Sequence, residues 1–420
     1  MSNPRVAVIG AGPAGIVSAR EAVRHGCEVT IYEAGDAVGG VWVYSEHTEQ
    51  DLLGQDSATA VHSSLYESLT TNIPRDLMAY ADYTFDSAGG GDDLWPRFPH
   101  HTQVRQYLDR FVDEFNLREL IRFKSRVQEV QRLASEWLVS TSEAQSTFDA
   151  VMVCNGHYAK PKVPLLPGLE AFKGTVIHSH NYRHADAFAG QRVALWGTSA
   201  SGFDISIEIA KVAEHVYWCG NAFSEPVQLG TNRTGLPSLE GVGKQGELIA
   251  DKTNLMVDCL MFCTGYHYDF PFLADDLIRV DENKVAPLYH DIVPPAEPSL
   301  GFIGIPFLII PFPVFEIQAK WFVKQLVGEF DLPDTALMRH AVSARSQAFE
   351  QAGGLKRHFH RLGDQQEEYF NTLARESGCD PLPGWFIQSW QEVGKAREKD
   401  PAGYKSAALP VRGTTVCRTG

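Results

Sequence analysis

Gly10, Gly12 and Gly15 have the spacing G-x-G-x-x-G and stand between an apolar run, RVAVIG, and a helical stretch, AGIVSAREAVRHG. A strand-to-helix reversal with this spacing suits phosphate. Gly10 permits the tight turn, Gly12 lets backbone approach a pyrophosphate, Gly15 allows close helix packing, and the helix N-terminus attracts negative charge. Glu33 ends the next apolar run, EVTIYE, 21 residues after Gly12. A carboxylate there accepts hydrogen bonds from both hydroxyls of an adenosine ribose and repels a 2′-phosphate, so the first loop is expected to hold FAD or NAD and not NADP. The following GGVW (39–42), with Gly40, Val41 and Trp42, lets a loop lie along a second stretch of an extended cofactor, which favours FAD.

A second loop reads Gly197-Thr-Ser-Ala-Ser-Gly202, 187 residues after the first (197 − 10), between RVALW and FDISIEIAKVAEH. Ser199 takes the middle glycine position, where its hydroxyl can itself bind phosphate. Twenty-one residues later stands Gly220, so this half has neither the acid that selects NAD nor an Arg to hold a 2′-phosphate. Preference between NADPH and NADH is open, with Arg233 in GTNRTG as a substitute anchor to test. No catalytic triad or metal set is visible. His358 and His360 in HFHRLGDQQEEYF read as a solvated helix face.

Two strand–turn–helix–strand units in 420 residues require enough chain to bury two cores, and 44% hydrophobic with 21% charged residues is a globular balance. TFDAVMVCNGHY (147–158) and NLMVDCLMFCTGYHY (254–268) read as buried strands running into loops, and KPKVPLLPG (160–168) as a linker between halves. Lys and Arg total 37 against 52 Asp and Glu, a net charge of −15, which disfavours nucleic acid and anionic membrane. The seven scattered cysteines read as reduced thiols. No secretory signal is read at the N-terminus, and FIGIPFLIIPFPVF (302–315), broken by three prolines, is too short to span a membrane. A soluble cytoplasmic protein is expected, or a secreted one if a signal was removed before residue 1. Beyond residue 330 the chain is polar and helical, with no motif attached to chemistry.

Phe172-x-Gly174-x3-His178-x3-Tyr182-Arg183 resembles the identifying motif of the class B flavin-containing monooxygenases, whose Baeyer-Villiger relatives typically carry Trp at the place of Tyr182. GGVW, FPHHTQVRQYL (98–108), VCNGHYAKPKVP (153–164), GTSASG and FCTGYHYDFPFL (262–273) are similar to family segments in family order. The resemblance covers about residues 5–325 and, loosely, the shorter insect-type members such as the pyrrolizidine and senecionine alkaloid N-oxygenases.

That resemblance implies an α/β protein with two Rossmann-like dinucleotide-binding domains, for FAD and NADP, the smaller inserted into the larger: 1–167 and 266–420 for FAD, 168–265 for NAD(P). It implies cofactor contacts at Gly10, Gly12, Pro13, Ala14, Gly15, Glu33, Gly40, Val41, Trp42, Gln103 and Val127. Further contacts are implied at Thr71 and Asn72 of HSSLYESLTTNIP (62–74), at Gly197, Ser199, Ser201, Gly202 and Asp204, and at Gln318. Asn72 is the implied catalytic residue, an uncharged donor beside flavin and nicotinamide. The implied reaction is NAD(P)H- and O2-dependent oxygenation of a soft nitrogen or sulfur nucleophile through a C4a-hydroperoxyflavin, with a lipophilic tertiary amine such as an alkaloid as substrate. The alternatives are Baeyer-Villiger oxygenation of ketones and a non-oxygenating electron-transfer or nucleotide-sensing flavoprotein. The partners expected are small molecules and O2, with homo-oligomerisation left open.

Overall fold

The computed structural model describes residues 3–56, 61–90 and 94–406. The chain divides into two compact units, the first from Met1–Gly39, Thr70–Asn155 and Phe270–Gly420, the second from Gly40–Leu69 and Gly156–Asp269. The first contains a five-stranded parallel sheet in the order Leu300–Phe302, Ala150–Val153, β1 (Arg5–Ile9), β2 (Glu28–Tyr32), Ile121–Arg122. Its central strands are apolar along nearly their whole length because both α1 and an antiparallel sheet of Val127–Leu133, Glu136–Thr141 and Gln145–Phe148 pack against them. Ile9 pairs with Tyr32 on one side and Val153 on the other, so three strands end level and their loops emerge together.

Helix α1 (Pro13–Arg24) is buried from Pro13 to Ala22. Such a helix must neutralise whatever charge it carries. Arg20, 1% exposed, donates from Nε to Glu21 (2.8 Å), from Nη1 to Asp82 (2.6 Å) and from Nη2 to Glu316 (2.8 Å) on the helix Pro311–Leu326. Glu316 also receives Lys320 Nζ (2.8 Å) and the Ala81 amide (2.8 Å), which ties this helix to α1 and to the segment after Tyr80.

The second unit repeats the theme. β3 (Arg192–Trp196), α2 (Ala200–Ile209) and β4 (His215–Cys219) form its βαβ unit. The sheet runs Val227–Gln228, Arg233–Leu236, β4, β3, Cys259–Phe262, Thr175–His178, parallel except for its first strand. Most of the stretch 40–69 carries no strand or long helix, yet Tyr66 and Leu69 pack into this unit's core beside Tyr182, Ile205 and Trp218.

Several expectations change here. Residues 40–69 and 156–167, assigned by sequence to the first domain, lie in the second unit. KPKVPLLPG is no linker: Lys160–Pro161 pairs with Tyr266–His267, and Leu166 is buried in the second unit's core. Residues 358–370 are not a solvated helix face. His360 is fully buried, with Nδ1 on Asp291 (2.9 Å) and Nε2 accepting the Val285 amide (2.8 Å). Five of the six described cysteines are buried and all six are free thiols, while Cys417 lies outside the described residues. Burial pushes Cys154, Cys219, Cys259 and Cys263 up to about 12, so they are inert at neutral pH. Among the described residues no helix is long and apolar enough to cross a membrane.

His178 accepts the His180 amide at Nδ1 (3.0 Å) and donates from Nε2 to the Gly265 carbonyl (3.1 Å), a neutral arrangement. Burial holds it down to about 3, against an ordinary value near ~6.5. Between these values the unfolded chain binds the extra proton, so this stabilisation is complete above about pH 6.5 and is lost as pH falls toward 3. Denaturant melts should show stability falling by up to ~1.4 kcal/mol per pH unit for this group. His178→Gln, which keeps a donor without titrating, should flatten that slope. An unchanged slope would show that His178 is not the titrating group.

Candidate cofactor-binding sites

In the first unit β1 delivers Gly10 to the carboxyl edge of the sheet with φ +105°, a conformation that favours glycine, and its amide donates to Tyr32 O (2.8 Å). A Cβ at Gly10 would lie 2.6 Å from the Cys154 carbonyl oxygen, and one at Gly15 would collide with the Gly10 carbonyl. Helix α1 therefore rests directly on the strand end. Its N-cap, Gly12, is extended, Pro13 fills the first turn, no side chain caps the helix, and no acid occupies the first turn. The uncapped amides after Pro13 are an anion cradle.

Glu33 accepts the Ala11 amide at Oε2 and the Gly35 amide at Oε1, both at 2.7 Å. Each oxygen keeps a lone pair for a ribose hydroxyl. Ser125 and Lys124 donate to the Glu33 and Gly35 carbonyls (2.8 Å each), which brings buried Val127 to the same edge. Gly39 donates to Ala11 O (3.0 Å), and the turn Gly40–Trp42 follows at once in the chain. The geometry fits an FAD held at its pyrophosphate by α1 and at its ribose by Glu33.

The second loop superposes in kind. Gly197 has φ +130° and donates to Cys219 O (2.9 Å), Cβ atoms at Gly197 and Gly202 would strike the Cys263 and Gly197 carbonyls, and Trp218 Nε1 donates to Gly197 O (2.9 Å). Ser199, the N-cap of α2, has φ −85° and ψ −172°, against −76° and −178° at Gly12. That extended backbone is open to any residue, so the middle glycine is required only for space, and serine satisfies the same turn. Ser199 is exposed and does not cap its own helix, so its hydroxyl is not spent on the helix amides. This fits NADP.

Other sequence-selected residues have partners within the chain. Asp204 accepts Tyr66 OH (3.3 Å) within the second unit. Gln103 Oε1 accepts the His100 amide (2.8 Å) in a capping box at the start of His101–Glu114. Gln318 is fully buried, accepting Gly304 N (2.9 Å) and donating to Tyr369 OH (2.6 Å). Exposed Asn72 sits in a braced turn, with Thr71 N on Pro99 O (2.9 Å), Thr71 Oγ1 on Ile73 O (2.8 Å) and Tyr404 OH on Asn72 O (3.3 Å).

Three contributors escaped the sequence reading. Tyr80 OH donates to Pro13 O (2.8 Å) while its ring stacks on Phe312 (5.3 Å), joining the first turns of α1 and Pro311–Leu326. Cys154 and Cys263 supply the carbonyls against which the phosphate-loop glycines pack, and their matching contexts, VMVCNG and LMFCTG, were the available signal. Lys405 and Tyr404, near the end of the described chain, hold Thr70 and Asn72.

Arg233 stands on the strand next to β4, with its backbone short of the strand end. It pairs with Val216, near the start of β4, whereas Leu236 pairs with Cys219 beside Gly220, and its guanidinium leans over Trp218 (5.9 Å). Gly220 is itself closed to substitution: φ is +154° and a Cβ would lie 2.8 Å from Thr198 Cγ2. Exposed Asn221, bonded to Ser238 Oγ (2.9 Å), is the open neighbour. Asn221→Arg should lower KM for NADPH relative to NADH by about 10-fold or more, the worth of one charge-assisted bond. An unchanged ratio in steady-state kinetics would place the 2′-phosphate elsewhere.

The family model described as flavin-binding monooxygenase-like matches residues 3–224 and 240–387. The chain is 39% identical over 420 residues to the Arabidopsis thaliana flavin-containing monooxygenase FMO GS-OX-like 3, covering 95% of this chain and 93% of that protein. The structure of S-allyl-L-cysteine S-oxygenase from Allium sativum matches with a TM-score of 0.93 and 38% identity, covering 97% of this chain and 96% of that one. Tmm from a Pelagibacter strain shares the fold, with a TM-score of 0.83 at 24% identity. The Arabidopsis and Allium relatives are plant proteins, which replaces the insect-type likeness. With two glycine turns of matching geometry and this likeness along its length, the chain belongs to the flavin-containing monooxygenase family and is an FAD- and NADPH-dependent monooxygenase.

Proposed function

We propose that the protein oxygenates a thioether to a sulfoxide, with soft amines as secondary substrates. The observation that carries this reading is the 38% identity, at a TM-score of 0.93, to an S-oxygenase across nearly both whole chains. One oxygen atom of O2 goes to sulfur, and the other leaves as water, which takes up the hydride of NADPH (two electrons and its hydrogen) and one proton from solvent. When bound, FAD supplies the hydride-accepting and oxygen-activating chemistry.

The chain's part is to bind, orient and protect. The α1 amides and Glu33 fix one dinucleotide, and the α2 amides with Ser199 and Ser201 fix the other. Asn72 offers an uncharged donor on a turn whose backbone is held on both sides. An amide can donate toward an oxygen gaining negative charge, where a carboxylate would repel it. No side chain need act as nucleophile, so the pocket that admits sulfur is free to be apolar.

Incubating the holoenzyme with NADPH, isotope-labelled O2 and, separately, an S-alkyl cysteine, a tertiary amine and a cyclic ketone tests this. Labelled sulfoxide should form with the highest kcat/KM. A dominant labelled N-oxide, a lactone from the ketone, or NADPH oxidation without label in any product would each overturn it.

Asn72→Asp should leave NADPH consumption largely intact while sulfoxide falls and hydrogen peroxide rises. Loss of one hydrogen bond to a charged group, ~1.5 to 3 kcal/mol, corresponds to about 10- to 150-fold in the competing rates. Product per NADPH equal to wild type would reduce Asn72 to a turn residue before Pro74.

A further inference from the structure

The motif that marks the family contains a side chain whose task the reaction leaves unexplained. Arg183 is 5% exposed, and each of its N–H groups meets a backbone carbonyl. Nε donates to Ser45 O (2.7 Å), Nη1 to His180 O (2.7 Å) and Tyr182 O (2.9 Å), and Nη2 to His47 O (3.0 Å) and Ser63 O (3.2 Å). A guanidinium has five donors, and all are used here without a carboxylate among the acceptors. Three of those acceptors belong to the stretch 40–69.

Neighbours in the motif grip the same stretch. His180 Nε2 meets Glu49 Oε1 (3.1 Å), Asn181 Oδ1 accepts the Glu49 amide (3.0 Å), and Asn181 Nδ2 donates to Asp51 O (3.3 Å) and Leu52 O (3.1 Å). The Arg183 carbonyl accepts the Glu67 amide (3.1 Å), and Tyr66 packs edge-on against Tyr182 at 5.5 Å. Two residues lie between Trp42 and Ser45, and four between Glu67 and Asn72. The clamped stretch thus begins just after the GGVW turn and ends just before the Thr71–Asn72 turn.

We infer that Arg183 is a positioning residue: by clamping Ser45, His47 and Ser63 onto the nucleotide-binding unit it fixes the two turns that flank them in the chain, the Trp42 turn and the Asn72 turn, where oxygenation needs them. This rests on the reading of Asn72 given above. Lysine, with three donors, can satisfy only part of the set and should act as a partial substitute, while glutamine cannot bridge the three segments.

The holoenzyme variants Arg183→Gln and Arg183→Lys test this with NADPH and an S-alkyl cysteine, assayed well below each variant's own melting temperature. Arg183→Gln should keep FAD at wild-type stoichiometry yet release about 5- to 10-fold more hydrogen peroxide per NADPH, as expected for a turn loosened by one or two hydrogen bonds. Arg183→Lys should fall between. Hydrogen exchange in Arg183→Gln should quicken at the amides of 40–44 and 64–72. A lowered melting temperature with unchanged product per NADPH and unchanged exchange at those amides would show a purely structural role and overturn the inference. If Arg183→Gln does not fold, Asn181→Ala, which removes the bonds to Glu49, Asp51 and Leu52, must show the same uncoupling, and its absence would also overturn it. The double variant with Asn72→Asp should be no more uncoupled than the stronger single variant, and additive effects would count against a shared route. Should Asn72→Asp alone leave coupling intact, the reading of Asn72 fails, while exchange at 64–72 still reports on the clamp.

Discussion

In each unit the first turn of a helix rests on the carbonyl oxygen of the glycine that ends the preceding strand. Nothing larger than hydrogen fits at Gly15 or Gly202, because the Gly10 and Gly197 carbonyls already occupy the space. This seat fixes the helix axis at the carboxyl edge of a parallel sheet and leaves the first amides uncapped, a cost that folding alone does not offset and a bound phosphate does. The surroundings keep the seat in place. Arg20 and its carboxylates pin the far end of α1, Tyr80 braces Pro13, and the indole of Trp218 holds the Gly197 carbonyl.

Since the backbone of the two cradles is the same in kind, their selectivity has to come from what surrounds them. Glu33, locked by two amides, presents a fixed negative charge where a ribose arrives, which excludes a 2′-phosphate from the first site. The matching place in the second unit is the buried, left-handed Gly220, with the hydroxyl of Thr198 and the amide of Asn221 beside it. That edge is neutral. It accommodates a 2′-phosphate without repelling it, and the attraction that would make the choice steep is supplied by no residue paired at that strand end.

What could be read from the sequence was what is decided locally. The two strand–glycine–helix turns depend on residues within about a dozen positions of one another, so spacing alone placed Gly10, Gly15, Gly197 and Gly202 where the structure has them. The reading weakened as sequence separation grew. Ser45 meets Arg183 across 138 residues, and Asn72 meets Tyr404 across 332, so nothing in the composition of 40–69 shows which unit it joins. His360 misled for the same reason: its charged neighbours suggested a wet helix, while its partner Asp291 lies 69 residues away. Gln318 and Gln103 were chosen by resemblance, and the partners that orient them, Gly304 and Tyr369 for Gln318 and His100 for the Gln103 oxygen, are not visible in that choice.

That pattern divides the labour of the enzyme along a physical line. Phosphate recognition needs backbone amides in a fixed turn, which a short peptide segment can specify by itself. Protecting an oxygen intermediate from water and from premature release needs side chains on loops, and a loop has no internal ladder of hydrogen bonds to hold it. Here the loops are held from outside. Residues 45–52 and 63–67 are gripped by a saturated guanidinium and its neighbours, and residues 70–72 by Pro99 and by Tyr404 and Lys405 from the end of the described chain. The C-terminal stretch, which carries no recognisable motif, thereby acts on the Asn72 turn as a brace. Variation in such braces can move the turn while leaving both dinucleotide cradles intact, so relatives that bind the same cofactors are able to diverge in how tightly NADPH oxidation is coupled to oxygenation.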